Sequence, residues 1–515
     1  MSPPSLTSTT QRGLEALRVA WASRSVRRGF VGTVLITAGS LTPAYLPQVS
    51  PIWPVLRWAH LTGPISKWVG TGLVVAGLMV LIMAWLKLRP RAYSDHTEVA
   101  YHGMRHWAVL AIWSLPFLFA PPIFSHDAYS YAAQGWLIHN GLNPYEVGPG
   151  VLPGAFADQV AWVWRYTPAP YGPLALQLSH GIVDLLGNDP YLSAVAMRLP
   201  ALVGVALIGF LLPRIASMRG LDPAMAAWFG TLNPVLVIDF VGGAHNDALM
   251  MGLVVAALWT TVRFKHLPAG DSGRAVKARP WVSMLAGAVI VGVAASIKQP
   301  ALLAAVALPF LVEGWTSWRV RPLLRAALRV LVSLGLSVGV FALLSVVTGL
   351  GFGWINAVNV PGSVFTISPT TLLGNALQFP LDLVWPGNTV NLVRWARTAG
   401  FVLSGLIICY LAVMKLGRRP VYFLAWSWLW FALLAPAIHS WYVLWGGLLL
   451  PLAKPSERTY RAAVFGTLVL LCFGAINFSV RNGAVAVGIA LVGGAWWVLR
   501  THESAHKERS GGLSS

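Results

Sequence analysis

Long apolar runs recur along the whole 515-residue chain, separated by short polar or basic connectors. A run of roughly 20 apolar residues has the length of a helix that crosses a bilayer. The pattern predicts about fourteen such spans, near 29–46, 68–86, 106–122, 191–213, 223–240, 246–263, 281–297, 299–314, 326–350, 393–414, 420–436, 440–453, 460–479 and 483–499. Two connectors, 123–190 and 351–392, are much longer than the rest and rich in aromatic and polar residues. Within the first, residues 128–140 and 155–166 have the composition of helices lying in the membrane interface, with Asn143-Pro144 and Pro168-Ala169-Pro170 breaking the chain between and after them. The fold class expected is an all-α polytopic membrane protein.

Composition supports this reading. Hydrophobic residues make up 56% of the chain and charged residues only 10%, against roughly 25% charged in a soluble domain. The net charge of +20 comes from basic clusters between apolar runs, which is how membrane orientation is encoded, and nucleic-acid binding is set aside. With the N-terminus inside, 29 of the 37 basic residues fall in the alternate connectors of one side. Both termini are therefore expected in the cytoplasm, with loops 123–190 and 351–392 outside. The domain reading is a cytoplasmic segment 1–28, two N-terminal spans over 29–105, a membrane domain over 106–499 and a cytoplasmic tail 500–515. Cys409 and Cys472 both lie within apolar runs and imply neither a disulfide framework nor a metal site.

The polar residues that are costly near a membrane gather on the expected outer side. Asp127 follows the third span directly, one residue after His126. A carboxylate there is either a helix cap or a general base. Gly242-Gly243-Ala244-His245-Asn246-Asp247 joins two spans with almost no linker. It places three polar side chains at the head of a helix, where anions are favoured. A metal site from His245 and Asp247 lacks further ligands, so no cofactor is implied and a divalent metal stays open. Lys298, in Ile297-Lys298-Gln299-Pro300, is the one cation of its turn. It either snorkels to the interface or meets a phosphate at headgroup depth. Arg198, inside a span, and Arg394 and Arg397 are further cations to which the same question applies. Trp354, Trp385, Trp441 and Tyr442 could stack on sugar rings, but an interfacial aromatic belt is the simpler account of them.

Together these segments resemble a known family. The stretches are Phe124-Ser125-His126-Asp127-Ala128-Tyr129-Ser130-Tyr131, Tyr166-Thr167-Pro168-Ala169-Pro170-Tyr171-Gly172-Pro173-Leu174, Leu232-Asn233-Pro234 leading to Gly243-Ala244-His245-Asn246-Asp247, and Ile297-Lys298-Gln299-Pro300. In order and spacing they are similar to the actinobacterial polyprenol-phosphate-mannose-dependent α-1,6-mannosyltransferases. These are GT-C-type membrane glycosyltransferases of lipomannan and lipoarabinomannan synthesis. The likeness covers roughly residues 25–500; at His126 the family pattern often carries Arg instead.

The resemblance implies a GT-C fold of about 13–14 transmembrane helices in the plasma membrane, with the site facing outward. The partners implied are a polyprenyl-phosphate-mannose donor, a lipid-linked mannan acceptor and membrane lipids. Asp127 matches the family's essential acid in the first large external loop and is expected to act as base in an inverting transfer. Lys298, His245, Asn246, Asp247, Arg198, Arg394, His126, Tyr129 and Tyr171 are expected around the substrate and its phosphate. The rival from another class is a transporter or flippase of a lipid-linked sugar. Transporters commonly show paired internal repeats and broken helices in matching halves; neither is evident in this sequence, and its polar residues sit at one face instead of the midplane. A membrane scaffold subunit would leave the one-sided clustering unexplained.

Overall fold

The computed structural model describes residues 6–90, 104–263, 273–315, 317–356 and 367–480. Helices dominate the described residues and no strand occurs among them. Each of the first thirteen expected spans contains helix, while 483–499 and the tail 500–515 lie outside the described residues. Among the described residues, five helices are long and apolar enough to cross a membrane, namely Pro64–Lys87, Pro190–Met218, Val320–Val347, Leu392–Leu416 and Glu457–Ser479. Shorter apolar helices, such as His106–Phe119 and Pro420–Leu434, occupy other expected spans. The chain is thus an all-α polytopic membrane protein by element type, length and hydropathy. Many of its apolar side chains remain exposed, as a lipid-facing surface requires. On Val320–Val347, for example, Leu331, Leu343 and Val347 point outward.

One span is broken. Pro223–Thr231 and Leu236–Gly242 meet at a 54° bend. The bend falls at Leu232-Asn233-Pro234, where Pro234 can donate no backbone hydrogen bond and the Asn233 side chain accepts from Val235 N at 2.9 Å. The turns on both sides widen to π-helix, over Ala227–Thr231 and Leu236–Gly242. The lower half is locked to the N-terminal helices by a reciprocal pair. Trp85 Nε1 donates to Trp228 O at 2.9 Å, Trp228 Nε1 donates to Trp85 O at 2.8 Å, and the two indoles stack 4.8 Å apart.

The described parts of the two long loops contain helices. Segment 123–190 holds the helices Asp127–His139 and Pro173–Leu185. The expected helix over 155–166 is instead two single turns, Ala155–Asp158 and Trp162–Arg165. The chain opens between them because the Gln159 carbonyl faces the His126 ring at 3.1 Å. Segment 351–392 contains an amphipathic helix, Pro369–Val384, packed on Leu392–Leu411.

Candidate active site

Asp127 is the first residue of the Asp127–His139 helix, one past the N-cap His126, whose side chain makes no cap bond. Ser125 Oγ accepts from Asp127 N at 3.0 Å, and the Asp127 carboxylate lines a cavity. Phe124 just before it holds φ 58°, a left-handed conformation that costs a residue with a β-carbon roughly 1–2 kcal/mol. Ile123 N donates to Gly242 O at 3.2 Å. This bond joins the Asp127 loop to the turn that carries His245.

That turn is bent in the same way, with Ala244 at φ 56°. It places three side chains differently. His245 is fully buried, stacks on Trp441 with centroids 3.7 Å apart, and points Nδ1 at Asp127 Oδ2 from 3.4 Å. Asn246 Oδ1 lies 3.3 Å from the Tyr131 hydroxyl, whose oxygen also lies 3.5 Å from Asp127 Oδ2. Asp247 is wholly buried and accepts from Lys298 Nζ at 3.0 Å on each oxygen and from Trp445 Nε1 at 2.7 Å. Both Asp247 oxygens are thus engaged by Lys298, and Oδ1 by Trp445 as well.

Lys298 is carried by a turn that the Pro168–Pro173 segment braces. Gly172 N donates to Ile297 O and Leu174 N to Ser296 O, each at 3.0 Å. A β-carbon on Gly172 would lie 2.3 Å from the Ser296 carbonyl oxygen, so only glycine permits this approach. Lys298 Nζ sits beside the rings of Tyr442, Trp445 and Tyr171, at 4.6, 5.4 and 5.7 Å from their centroids. Such faces suit a cation.

Beside these groups lies a cavity of about 1500 Å³. Asp127, Lys298, Tyr171 and His439 line its polar end, and Arg394 and Arg397 line it from the Leu392–Leu411 helix. Arg397 Nε also donates to Thr371 Oγ1 at 2.9 Å. Phe401, Phe431, Leu470 and Phe473 form an apolar wall. His126 belongs to the wall too, its ring stacked on Phe478 at 5.1 Å.

Burial alone would raise the Asp127 pKa, but the His245 ring beside it, His439 and Lys298 outweigh this and hold the carboxyl below its usual range. Burial pushes His439 down to about 4 against weaker upward pulls that include Asp127. For Lys298 burial acts downward, yet Asp247 and Tyr442 prevail and raise its pKa. At neutral pH Asp127 is therefore ionised and Lys298 carries its proton.

Five expected residues do not line the cavity: His245, Asn246 and Asp247, packed behind Asp127 and Lys298, and also Arg198 and Tyr129. Arg198 is buried and donates to the carbonyls of Val241 and Gly242 at 3.1 and 3.0 Å. It fixes the end of the broken span and does not line the cavity. Tyr129 is buried near Arg198, also off the cavity. Conversely, His439 and Trp445 belong to the site although sequence reasoning did not select them. Trp441 and Tyr442, read as an interfacial belt, pack within it. The i, i+4 spacing of Trp441 and Trp445 was the available signal.

A family model described as Alpha-(1->6)-mannopyranosyltransferase, N-terminal domain, matches residues 26–317. The chain is 33% identical over 497 residues to Alpha-(1->6)-mannopyranosyltransferase A of Mycobacterium tuberculosis, covering 92% of this chain and 89% of that one. It is 30% identical over 373 residues to Alpha-(1->6)-mannopyranosyltransferase A of Corynebacterium glutamicum, covering 67% and 71%. To Alpha-(1->6)-mannopyranosyltransferase B of the same organism it is 26% identical over 509 residues, covering 92% and 81%. No solved structure matches significantly.

Proposed function

Because the chain belongs to the alpha-(1->6)-mannopyranosyltransferase family, we propose that it transfers mannose from a polyprenyl-phosphate-mannose to a lipid-linked mannan. The new bond is an α-1,6 linkage, and the reaction runs on the outer face of the plasma membrane. The observation that carries the mechanism is the ionised Asp127 carboxylate at the polar end of a cavity with an apolar wall.

A mannan hydroxyl attacks the anomeric carbon from the face opposite the phosphate. As the new C–O bond forms, the bond from that carbon to the phosphate oxygen breaks and polyprenyl phosphate leaves with the electron pair. The hydroxyl proton passes to Asp127. That proton becomes acidic only as the C–O bond forms, so a fully ionised carboxylate within reach can accept it. His245, closed off behind Asp127, holds the carboxylate in place and does not touch substrate.

The leaving phosphate needs positive charge. Lys298 is already paired with Asp247. Arg394 and Arg397, across the cavity, are the groups we assign to the phosphate, with Lys298 limiting the repulsion from the two aspartates. Tyr171 contributes to the polar end, Asn246 supports it from behind through Tyr131, and His126 belongs to the wall beside it. The polyprenyl chain lies along Phe401, Phe431 and Phe473 and leaves past the Phe401 helix, which exposes Val402, Leu403 and Leu406.

The test is purified protein in detergent with polyprenyl-phosphate-mannose and a short mannan acceptor. The proposal expects an elongated α-1,6 product. Absence of product with transport of the donor in proteoliposomes would instead support the flippase reading.

A further inference from the structure

A second cluster of chemically capable side chains lies away from the cavity. The helices Asp127–His139 and Pro173–Leu185 run side by side in the same direction. Tyr131 meets Tyr171 near their starts, Gly135 approaches Ser179 at mid-length, and His139 meets Asp184 at their ends. A β-carbon on Gly135 would fall 2.5 Å from the Ser179 carbonyl oxygen, so the two backbones are in close register. Both helices start at the candidate active site. Their far ends carry His139, His180 and Asp184.

His139 Nδ1 is 2.7 Å from Asp184 Oδ1, and His180 Nε2 is 3.2 Å from Asp184 Oδ2. The three ligand atoms all lie within 4.8 Å of one another. Around a tetrahedral ion with bonds of about 2.1 Å, ligand atoms stand roughly 3.4 Å apart. Small side-chain adjustments therefore close the set.

The surroundings fix the tautomers a metal requires. A metal-ligating histidine normally has its other ring nitrogen hydrogen-bonded. His180 Nδ1 faces Gln177 Oε1 at 3.4 Å, and Gln177 Nε2 is itself held by Thr348 O at 3.1 Å. This directs Nε2 of His180 at the cluster. On His139, Nε2 faces Asn188 Nδ2 at 3.3 Å, while Asn188 Oδ1 is buried with no hydrogen-bond partner. Turning the Asn188 amide over exchanges its oxygen and nitrogen. The orphaned oxygen then accepts from His139 Nε2–H, and the Nδ1 lone pair is free for a metal. The His139 ring is also fixed by stacking on Trp136 at 4.9 Å. Finally, the cluster sits at the C-terminal ends of two parallel helices, where the helix dipoles favour a cation.

We propose that His139, His180 and Asp184 form a binding site for one divalent transition-metal ion of the Zn2+ type, with water completing the coordination. Imidazole and carboxylate together suit such an ion better than they suit Mg2+. Asp127 is twelve residues from His139, about 18 Å along the helix. The ion therefore takes no part in sugar transfer. It staples the far ends of the two helices whose near ends place Asp127 and Tyr171.

The test uses the full chain in detergent, stripped with a chelator and titrated with Zn2+. Bound metal per chain and the thermal midpoint are recorded, and the zinc environment is read by X-ray absorption. The expected result is one saturable Zn2+ per chain, two imidazole ligands in the absorption spectrum and a rise in midpoint. Asp184→Asn and His180→Gln abolish both the binding and the rise, and Asn188→Ala weakens affinity roughly tenfold. The proposal is overturned by absence of saturable binding, by a spectrum without two imidazoles, or by equal binding in wild type and Asp184→Asn. The absorption spectrum of the wild type decides the matter even if the variants fold poorly.

Discussion

The Asp247–Lys298 pair is the most demanding electrostatic element of the site, and its worth can be measured. Asp247 is fully buried, and Lys298 Nζ lies 3.0 Å from each of its oxygens. Lys298→Met keeps the apolar stem and removes the charge. Asp247 would then be buried with only Trp445 Nε1 as partner. Breaking a buried pair from one side costs about 3–5 kcal/mol. Removing both charges with Lys298→Met/Asp247→Leu leaves the Trp445 indole unpaired, at a cost of about 1–3 kcal/mol. The double variant should therefore be more stable than Asp247→Leu alone. Unfolding free energies from SDS titration in mixed micelles complete the double-mutant cycle, with retained tryptophan fluorescence as the folding control. A loss below about 1 kcal/mol for Lys298→Met, or strict additivity in the cycle, would refute the reasoning.

Two further outcomes follow from the same geometry. Asp127 is held below the usual carboxylate range and His439 is lowered from 6.5 to about 4. The unfolded chain takes up the His439 proton first, so stability should fall as pH drops from 6.5 towards 4, while kcat stays flat down to about pH 5. Thermal midpoints and initial rates across pH check this, and a kcat midpoint between 6 and 7 would contradict it. Arg394→Gln and Arg397→Gln, singly, should lower kcat/KM for the polyprenyl-phosphate donor by roughly 10–100-fold, the scale of a lost charge-assisted contact. Unchanged kcat/KM in both variants would remove the arginines from the phosphate site.

The helices were legible because apolar runs of bilayer length leave little choice of structure. The break at Asn233-Pro234 falls inside the single span expected over 223–240, and the π-helical widening around it depends on packing. The helix Pro369–Val384 escaped notice because it is amphipathic and carries Pro380 within it. In the site, alternation of the connectors put Asp127, His245–Asp247 and Lys298 on one side, and the structure brings them together. The partner choices were not legible. Asp247 binds Lys298 across 51 residues of sequence and Trp445 across 198, and no local pattern encodes such pairings. Arg198 shows the complementary limit. Its charge within a span was conspicuous, but which side of the helix it serves is set by the carbonyls that the broken span exposes.

The central claim is that Asp127 is the base for sugar transfer, and Asp127→Asn tests it with little change in shape. The measurement is the steady-state transfer rate from polyprenyl-phosphate-mannose to a mannan acceptor, at saturating donor, with protein matched for folding by tryptophan fluorescence. The account predicts a fall of about 10²–10⁴ in kcat with little change in KM for the donor. A folded Asp127→Asn protein that turns over within about threefold of wild type would contradict it.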